Sequence, residues 1–304
     1  MIPDIGELVR KNALYASQGV VASYIPELAK QDPRLLGLCL MDVSGEKRCF
    51  GDYEARFTIQ SIVKVVVFLC ALLDNRPEDL FAKVNISPTA DGFNSIVSLE
   101  TKSDKKPLNP FINSGAIVCL SMVAGDRPED KLERVLAMLR RIAQSPDIAV
   151  NEAVYRSEKE TGDRNRALAY YMKSTGILSG EVTPLLDAYF RLCSVEVDCR
   201  DIAAIGCFLA ANGVTAAGQR LASRDVCRVV KAVMATCGMY DGSGDFAVEV
   251  GIPAKSGVGG GIVGVVPGRC GVGVLGPALD AHGNSLAGVH LLRDLSAAFD
   301  WSIY

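Results

Sequence analysis

The chain has 304 residues, 49% of them hydrophobic, with 35 acidic against 32 basic side chains and a formal net charge of −3. That balance leaves no basic excess for tracking phosphates and excludes a nucleic-acid partner, while the apolar content suffices for a large core. The N-terminus lacks a basic start leading into an apolar run, and the longest apolar run, residues 65–73, is about half the ~20 residues a membrane helix needs. The sequence therefore reads as a cytoplasmic globular protein with no membrane partner.

The opening segment, to about residue 29, carries helical signals. Residues 35–41 and 47–51 read as two strands joined by the turn Asp42-Val43-Ser44-Gly45. Residues 61–240 are mostly helical in pattern, with clear periodicity over 131–144 and 201–211, interrupted by Pro107, Pro110, Pro146 and Pro184. After Tyr240 the pattern changes: 247–252, 260–266 and 271–275 are short, rich in Val and Ile and punctuated by Gly, and read as strands. Residues 291–301 have the spacing of a closing helix. Strands near both ends, with helices between, predict one sheet shared by the termini and a site between the two lobes.

Ten cysteines are present, but no Cys-x-x-Cys, and most lie in apolar runs, so they read as reduced core thiols. The two histidines, His282 and His290, have no neighbouring metal-ligand pattern and leave little room for a Ser-His-Asp triad. Gly259 to Gly264 fits G-x-G-x-x-G by letter, yet it leads into a strand and turn, whereas a dinucleotide site needs a helix N-terminus. No serine sits in G-x-S-x-G.

The remaining chemistry lies in Ser61-Ile62-Val63-Lys64 and in Lys255-Ser256-Gly257. Three positions apart on a helix, Ser61 and Lys64 share a face, and an apolar setting lowers an amine's pKa enough for it to take a serine proton near neutrality. The same spacing at Ser44/Lys47 and Ser103/Lys106 falls in polar, turn-like sequence. Taken alone, Ser61 also fits a helix cap and Lys64 a snorkelling side chain. Lys255-Ser256-Gly257 in the same chain turns the reading towards serine acyl transfer.

Ser-x-x-Lys with Lys-Ser-Gly is the signature of the serine beta-lactamase and penicillin-binding protein fold. The middle motif of those enzymes, Ser-x-Asn or Tyr-x-Asn, is missing. The longer strings Phe57-Thr58-Ile59-Gln60-Ser61-Ile62-Val63-Lys64-Val65, Asn109-Pro110-Phe111-Ile112-Asn113-Ser114-Gly115-Ala116, Ser157-Glu158-Lys159-Glu160-Thr161-Gly162-Asp163-Arg164-Asn165-Arg166-Ala167, Gly238-Met239-Tyr240-Asp241 and Pro253 to Ile262 closely resemble the serine-dependent glutaminase family. The similarity runs from about Tyr24 to the final helix. Val63 departs from it, standing where a small polar residue is expected.

The resemblance implies an α/β (α+β), beta-lactamase-like fold: an antiparallel sheet built from N- and C-terminal segments with an inserted helical lobe. The chain would form a single catalytic domain, with a sheet lobe of approximately residues 1–60 plus 241–304 and a helical lobe of approximately 61–240. It further implies hydrolysis of L-glutamine to L-glutamate and ammonia with no cofactor or metal, in a homotetramer or homodimer. Ser61 would be the nucleophile, Lys64 its base, and the backbone N–H groups of Ser61 and Val258 the oxyanion hole. Glu158 would pair with the substrate ammonium, while Asn113, Asn165 and Tyr24 bond its head group and Gln60 touches it. Tyr189 would relay a proton to the leaving ammonia, with Tyr240 lining the site and Lys255 organising local charge. Two other readings stay open: a penicillin-recognising serine hydrolase and a non-catalytic glutamine-binding protein. Locally, Asn113 also fits a cap for a helix starting at Ser114, Glu158 a solvated charge, and the glycines near Val258 hairpin punctuation.

Overall fold

The computed structural model describes residues 4–304. Helix α1 (Ile5–Ala13) is capped by Asp4, whose carboxylate accepts from the Gly6 and Glu7 N–H groups. Strands β1 (Gly37–Asp42) and β2 (Lys47–Gly51) then form the hairpin that the sequence predicts. After the short β3 (Phe57–Thr58), the chain turns through Gln60–Ile62 into α2 (Val63–Asp74). The helical insertion continues with α3 (Pro77–Phe81), α4 (Val97–Thr101), α5 (Asn113–Met122), α6 (Pro128–Ala143), α7 (Glu152–Glu160), α8 (Asp163–Ser174) and α9 (Val182–Cys193). Strand β4 (Glu196–Val197), which pairs with β3, precedes α10 (Cys199–Ala210), α11 (Arg224–Cys237) and α12 (Ser243–Glu249). Strands β5 (Ala254–Ser256), β6 (Gly261–Val266) and β7 (Cys270–Leu275) and helix α13 (Leu286–Phe299) close the chain.

The main sheet is antiparallel throughout, in the order β2-β1-β7-β6-β5, so the N-terminal hairpin and the C-terminal strands share it and the helices from α2 to α12 are inserted between them. Side-chain alternation assigns its two faces. Leu38 and Leu40 of β1, Ile262 and Val266 of β6, and Val272 and Val274 of β7 pack with Ile5, Val9, Leu291 and Leu295 of the terminal helices. The intervening Cys39, Met41, Val263 and Val265 face the helical side. At the corresponding positions β7 carries Gly271 and Gly273, and here α10 comes so close that a Cβ on Gly271 would lie 1.9 Å from the Cys207 nitrogen and one on Gly273 2.1 Å from the Cys199 carbonyl oxygen. Glycine at alternate positions therefore sets the depth at which the helical layer sits on the sheet.

Three boundaries differ from the sequence reading. Residues 247–252 are not a strand: α12 runs to Glu249, and the edge strand β5 begins at Ala254. Phe246 and Val250 are buried one helical turn apart whereas Val248 is 88% exposed, so the segment buries a helical stripe. Gly251, at φ +74°, then ends it, with its N–H on the Phe246 carbonyl. The closing helix starts at Leu286, five residues before its predicted start, because the Ser285 hydroxyl accepts from the Gly288 N–H and caps it. The helix carrying Lys64 begins at Val63, so Ser61 sits in the turn ahead of it and is not its cap.

Candidate active site

Ser61 lies where the sheet edge meets the helical insertion, on a turn held in an unusual conformation. Gln60 before it has φ +46°, a left-handed geometry that costs a non-glycine residue energy and persists only where its surroundings impose it. Those surroundings are the glycines after β5: a Cβ on Gly257 would stand 2.8 Å from the Ile59 carbonyl oxygen, and one on Gly259 2.6 Å from that of Thr58. Lacking side chains, they let the β5–β6 turn press against the Ser61 turn, with Val258 between them. Among the described residues, neither the Ser61 nor the Val258 backbone N–H has an acceptor within the chain. Free N–H groups in a buried turn are exceptional and mark a place where an external acceptor can be received.

Behind Ser61, Lys64 is fully buried on the first turn of α2. Its Nζ donates to Asn113 Oδ1 at 2.7 Å and to the Phe111 carbonyl at 3.2 Å. Among the described residues no hydrogen bond joins it to Ser61; the buried amine is satisfied by the Phe111 carbonyl and by the first residue of α5. Burial pulls Lys64 down to about 8, against an opposing pull from Cys193 and Glu158. Asn113 is the first residue of α5 and does not cap it: its Oδ1 serves Lys64, and its Nδ2 donates to Asn165 Oδ1 at 2.8 Å. Val63 is completely enclosed by the apolar core, so the residue between nucleophile and lysine acts as packing.

A cavity of about 70 Å³ opens onto Ser61 and is lined by Tyr24, Gln60, Asn113, Glu158, Asn165 and Tyr189. Glu158, 7% exposed, is pushed by burial up to about 7, and a hydrogen bond from Gln60 Nε2 at 3.4 Å and the Lys64 charge hold it from rising further. It is not a solvated charge. Gln60 Nε2 also donates to Thr58 Oγ1, and Tyr24 closes the opening while leaving about half its surface exposed. Lys64, Tyr240 and Val258 stand around Ser61 without lining this cavity.

The two tyrosines occupy different places. Tyr189, on α9, is buried beside Cys193 and Glu158, and burial holds its phenol far above the ordinary range. Tyr240 has φ +56°, a second left-handed position outside glycine, and its hydroxyl donates to the Ser256 carbonyl at 3.2 Å. The nearby Ser61 hydroxyl partly offsets the upward push of burial on the Tyr240 phenol. Lys255 is fully buried, donates to the same Ser256 carbonyl at 2.5 Å and stands 4.2 Å from the centre of the Tyr240 ring.

Sequence reasoning missed several residues at this site. Cys193 lines the cavity one helical turn after Tyr189, a spacing from which it could have been found. Phe93 and Asn94 form part of the wall in an irregular segment that carries no motif; they are fixed by the Asn113 N–H on the Phe93 carbonyl and by Arg164 Nε on that of Asn94 at 2.8 Å. Among the described residues, no cluster of three His, Cys, Asp or Glu side chains is placed to hold a metal, and no helix is long and apolar enough to cross a membrane.

A buried hydroxyl, a lysine of lowered pKa and two unpaired backbone donors beside a cavity with a deep carboxylate are the parts of serine acyl transfer. Comparison with known proteins agrees. The model of the Glutaminase family matches residues 19–304. Glutaminase 2 of Clostridium perfringens is 52% identical over 298 residues, covering 98% of each chain, and a glutaminase of Clostridium botulinum is 53% identical over the same length and shares. Among solved structures, a probable glutaminase of Bacillus subtilis superposes with a TM-score of 0.93 at 37% identity, covering 99% of this chain and 96% of its own. The covalent complex of a Bacillus subtilis glutaminase with 5-oxo-L-norleucine, formed by reaction with 6-diazo-5-oxo-L-norleucine, superposes with a TM-score of 0.90 at 37% identity, covering 99% and 98%. Sequence, fold and the arrangement around Ser61 converge, and the chain belongs to the glutaminase family.

Proposed function

We propose that this protein hydrolyses the side-chain amide of L-glutamine to L-glutamate and ammonia through an ester on Ser61. The observation that carries the mechanism is the pair of unpaired N–H groups on Ser61 and Val258, at the spot where a carbonyl oxygen would gain charge. Lys64 takes the serine proton as Oγ attacks the amide carbon. Tyr240, whose hydroxyl stands close to Ser61 and to the Ser256 carbonyl outside the substrate cavity, passes a proton to the leaving ammonia, and Tyr189 on the cavity wall is the other candidate for that step. Water then cleaves the glutamyl ester, its oxygen going to the glutamate carboxyl and its proton to the Tyr240 oxygen, while Lys64 returns the serine proton to Oγ. The formation of a covalent adduct by a Bacillus subtilis relative with 6-diazo-5-oxo-L-norleucine, an amino acid of glutamine's length bearing an electrophile near the amide position, supports this order of events.

The amino acid's head group falls to the cavity wall. Glu158 receives the α-ammonium, Tyr24, Asn113 and Asn165 bond the head group, and Gln60 and Tyr189 shape the remainder. A buried carboxylate held near neutrality gains most from a cation that enters with the substrate. Glu158→Gln is expected to raise the KM for glutamine about 30-fold or more, the cost of leaving a buried charge unpaired. Steady-state assays at saturating and limiting glutamine read this out; an unchanged KM removes Glu158 from the head-group site.

The two lobes supply the site jointly, and the chain is read as one catalytic domain of residues 1–304, acting in the cytoplasm as a homodimer or homotetramer. Its ten cysteines are all free thiols, as a reducing compartment would keep them. The purified protein should release ammonia from L-glutamine and much less from L-asparagine, whose amide falls one methylene short of Ser61 when Glu158 holds the ammonium. No release from glutamine, with either stoichiometric acylation by penicillin or bare glutamine binding, overturns the reading.

A further inference from the structure

Tyr240 owes its pose to a clamp outside the cavity. Its left-handed backbone needs support on both sides, and part of this is local: the Ser243 hydroxyl donates to the Tyr240 carbonyl at 2.7 Å and accepts from the Met239 N–H at 3.1 Å. The rest comes from residues 280–284, the turn before α13. There the Asp280 carboxylate accepts from the His282 and Asn284 N–H groups, both at 2.9 Å, and so folds the turn to present those two side chains. Asn284 Nδ2 reaches the Met239 carbonyl at 3.3 Å, and His282 Nδ1 stands 3.1 Å from Asp241 Oδ2. The two contacts grip the residues on either side of Tyr240. Between them Gly283, at φ +87°, faces both residues: a Cβ there would meet Tyr240 Cε2 and Val258 Cγ1 at ordinary contact distance, 3.8 Å. The turn therefore borders both the Tyr240 ring and the Val258 side chain.

We propose that His282, through its hydrogen bond to Asp241, is a positioning residue for glutamine hydrolysis that holds Tyr240 in its proton-transfer pose. This rests on the role of Tyr240 given above. The pair is well defined chemically: the Asp241 bond raises His282 above its usual value, aided by Asp280 on its own turn and Asp245 on α12. Glu249 of α12 and His290 and Arg293 of α13 line the other side of the 250 Å³ cleft into which His282 faces. Both partners are more than a third exposed, so the bond adds little to global stability. Its effect lies in fixing one strained residue, and a displacement of a reacting group well under 1 Å already slows a transfer.

The test is steady-state ammonia release from glutamine, with thermal unfolding of each variant alongside. His282→Ala is expected to lower kcat about 3- to 10-fold, the scale of one hydrogen bond, with KM within twofold. His282→Asn, whose Nδ2 can donate from the place of Nδ1, should restore most of that loss, as a general loosening of the fold would not. Asp241→Asn combined with His282→Ala should be no worse than His282→Ala alone, because both break the same contact. Wild-type kcat in His282→Ala, or additive losses in the double variant, overturns the proposal. Tyr240→Phe separates the two levels: a large fall in kcat there, with His282→Ala unaffected, defeats the clamp alone, whereas full activity in Tyr240→Phe defeats the reading of Tyr240 beneath it.

Discussion

Ser61→Ala is expected to reduce kcat for glutamine by about 10⁵- to 10⁶-fold, the loss seen when a nucleophile that works as one unit with its base is removed. The fold should survive, since Ser61 neither caps α2 nor makes its backbone contacts through Oγ. The unpaired Ser61 and Val258 N–H groups and the carboxylate of Glu158 also remain, so a residual rate of about 10³-fold over uncatalysed hydrolysis can persist. A second measurement isolates the covalent step. Wild-type protein treated with 6-diazo-5-oxo-L-norleucine should gain one adduct by intact mass, as Ser61 Oγ bonds the terminal carbon and dinitrogen leaves. Ser61→Ala should gain none while still binding glutamine. An adduct of equal yield in the variant would place the nucleophile elsewhere.

What could be read from the sequence divides by the range of the interactions involved. The β1–β2 hairpin and helices α6 and α10 are set by local turn chemistry and by periodicity, and the structure places them within a few residues of the sequence reading. Residues 247–252 read as a strand because Val248, Val250 and Ile252 alternate, while Phe246 and Val250 keep a helix's i, i+4 spacing, and only the packing of Phe246 and Val250 decides between the two. The sequence shows Gly271 and Gly273 merely as glycines; their meaning appears when the backbone of α10 arrives within reach. At the site, Ser61 and Lys64 are visible from their spacing and apolar setting. That Lys64 bonds Asn113 and that Tyr240 stands against Ser61 depend on pairings across 49 residues and more, for which local pattern carries no signal. The left-handed backbone at Gln60 and Tyr240 is equally silent, since neither residue type announces it.

Lys64→Met is expected to lower kcat about 10²- to 10⁴-fold, and Lys64→Arg to be no better, because a guanidinium keeps the charge but cannot shed its proton to act as base. An active Lys64→Arg enzyme would refute the base assignment. The pH dependence follows from the two buried groups. The proposed roles require Glu158 ionised and Lys64 neutral in the free enzyme, and the two stand at about 7 and about 8. Both requirements favour higher pH, so log(kcat/KM) should climb with slope two below about 7, with slope one between them, and level off above about 8. The same coupling makes a sharper demand on kcat. After Cys193, the Glu158 carboxylate raises Lys64 and so holds its proton on. Under the proposed assignment, a bound glutamine would set its ammonium against Glu158, cancel that field and lower the lysine, so that the substrate itself would help to free the base. The alkaline step in the kcat profile should therefore fall at lower pH than the step in kcat/KM, and in Glu158→Gln, where no carboxylate is left to neutralise, the two steps should draw together.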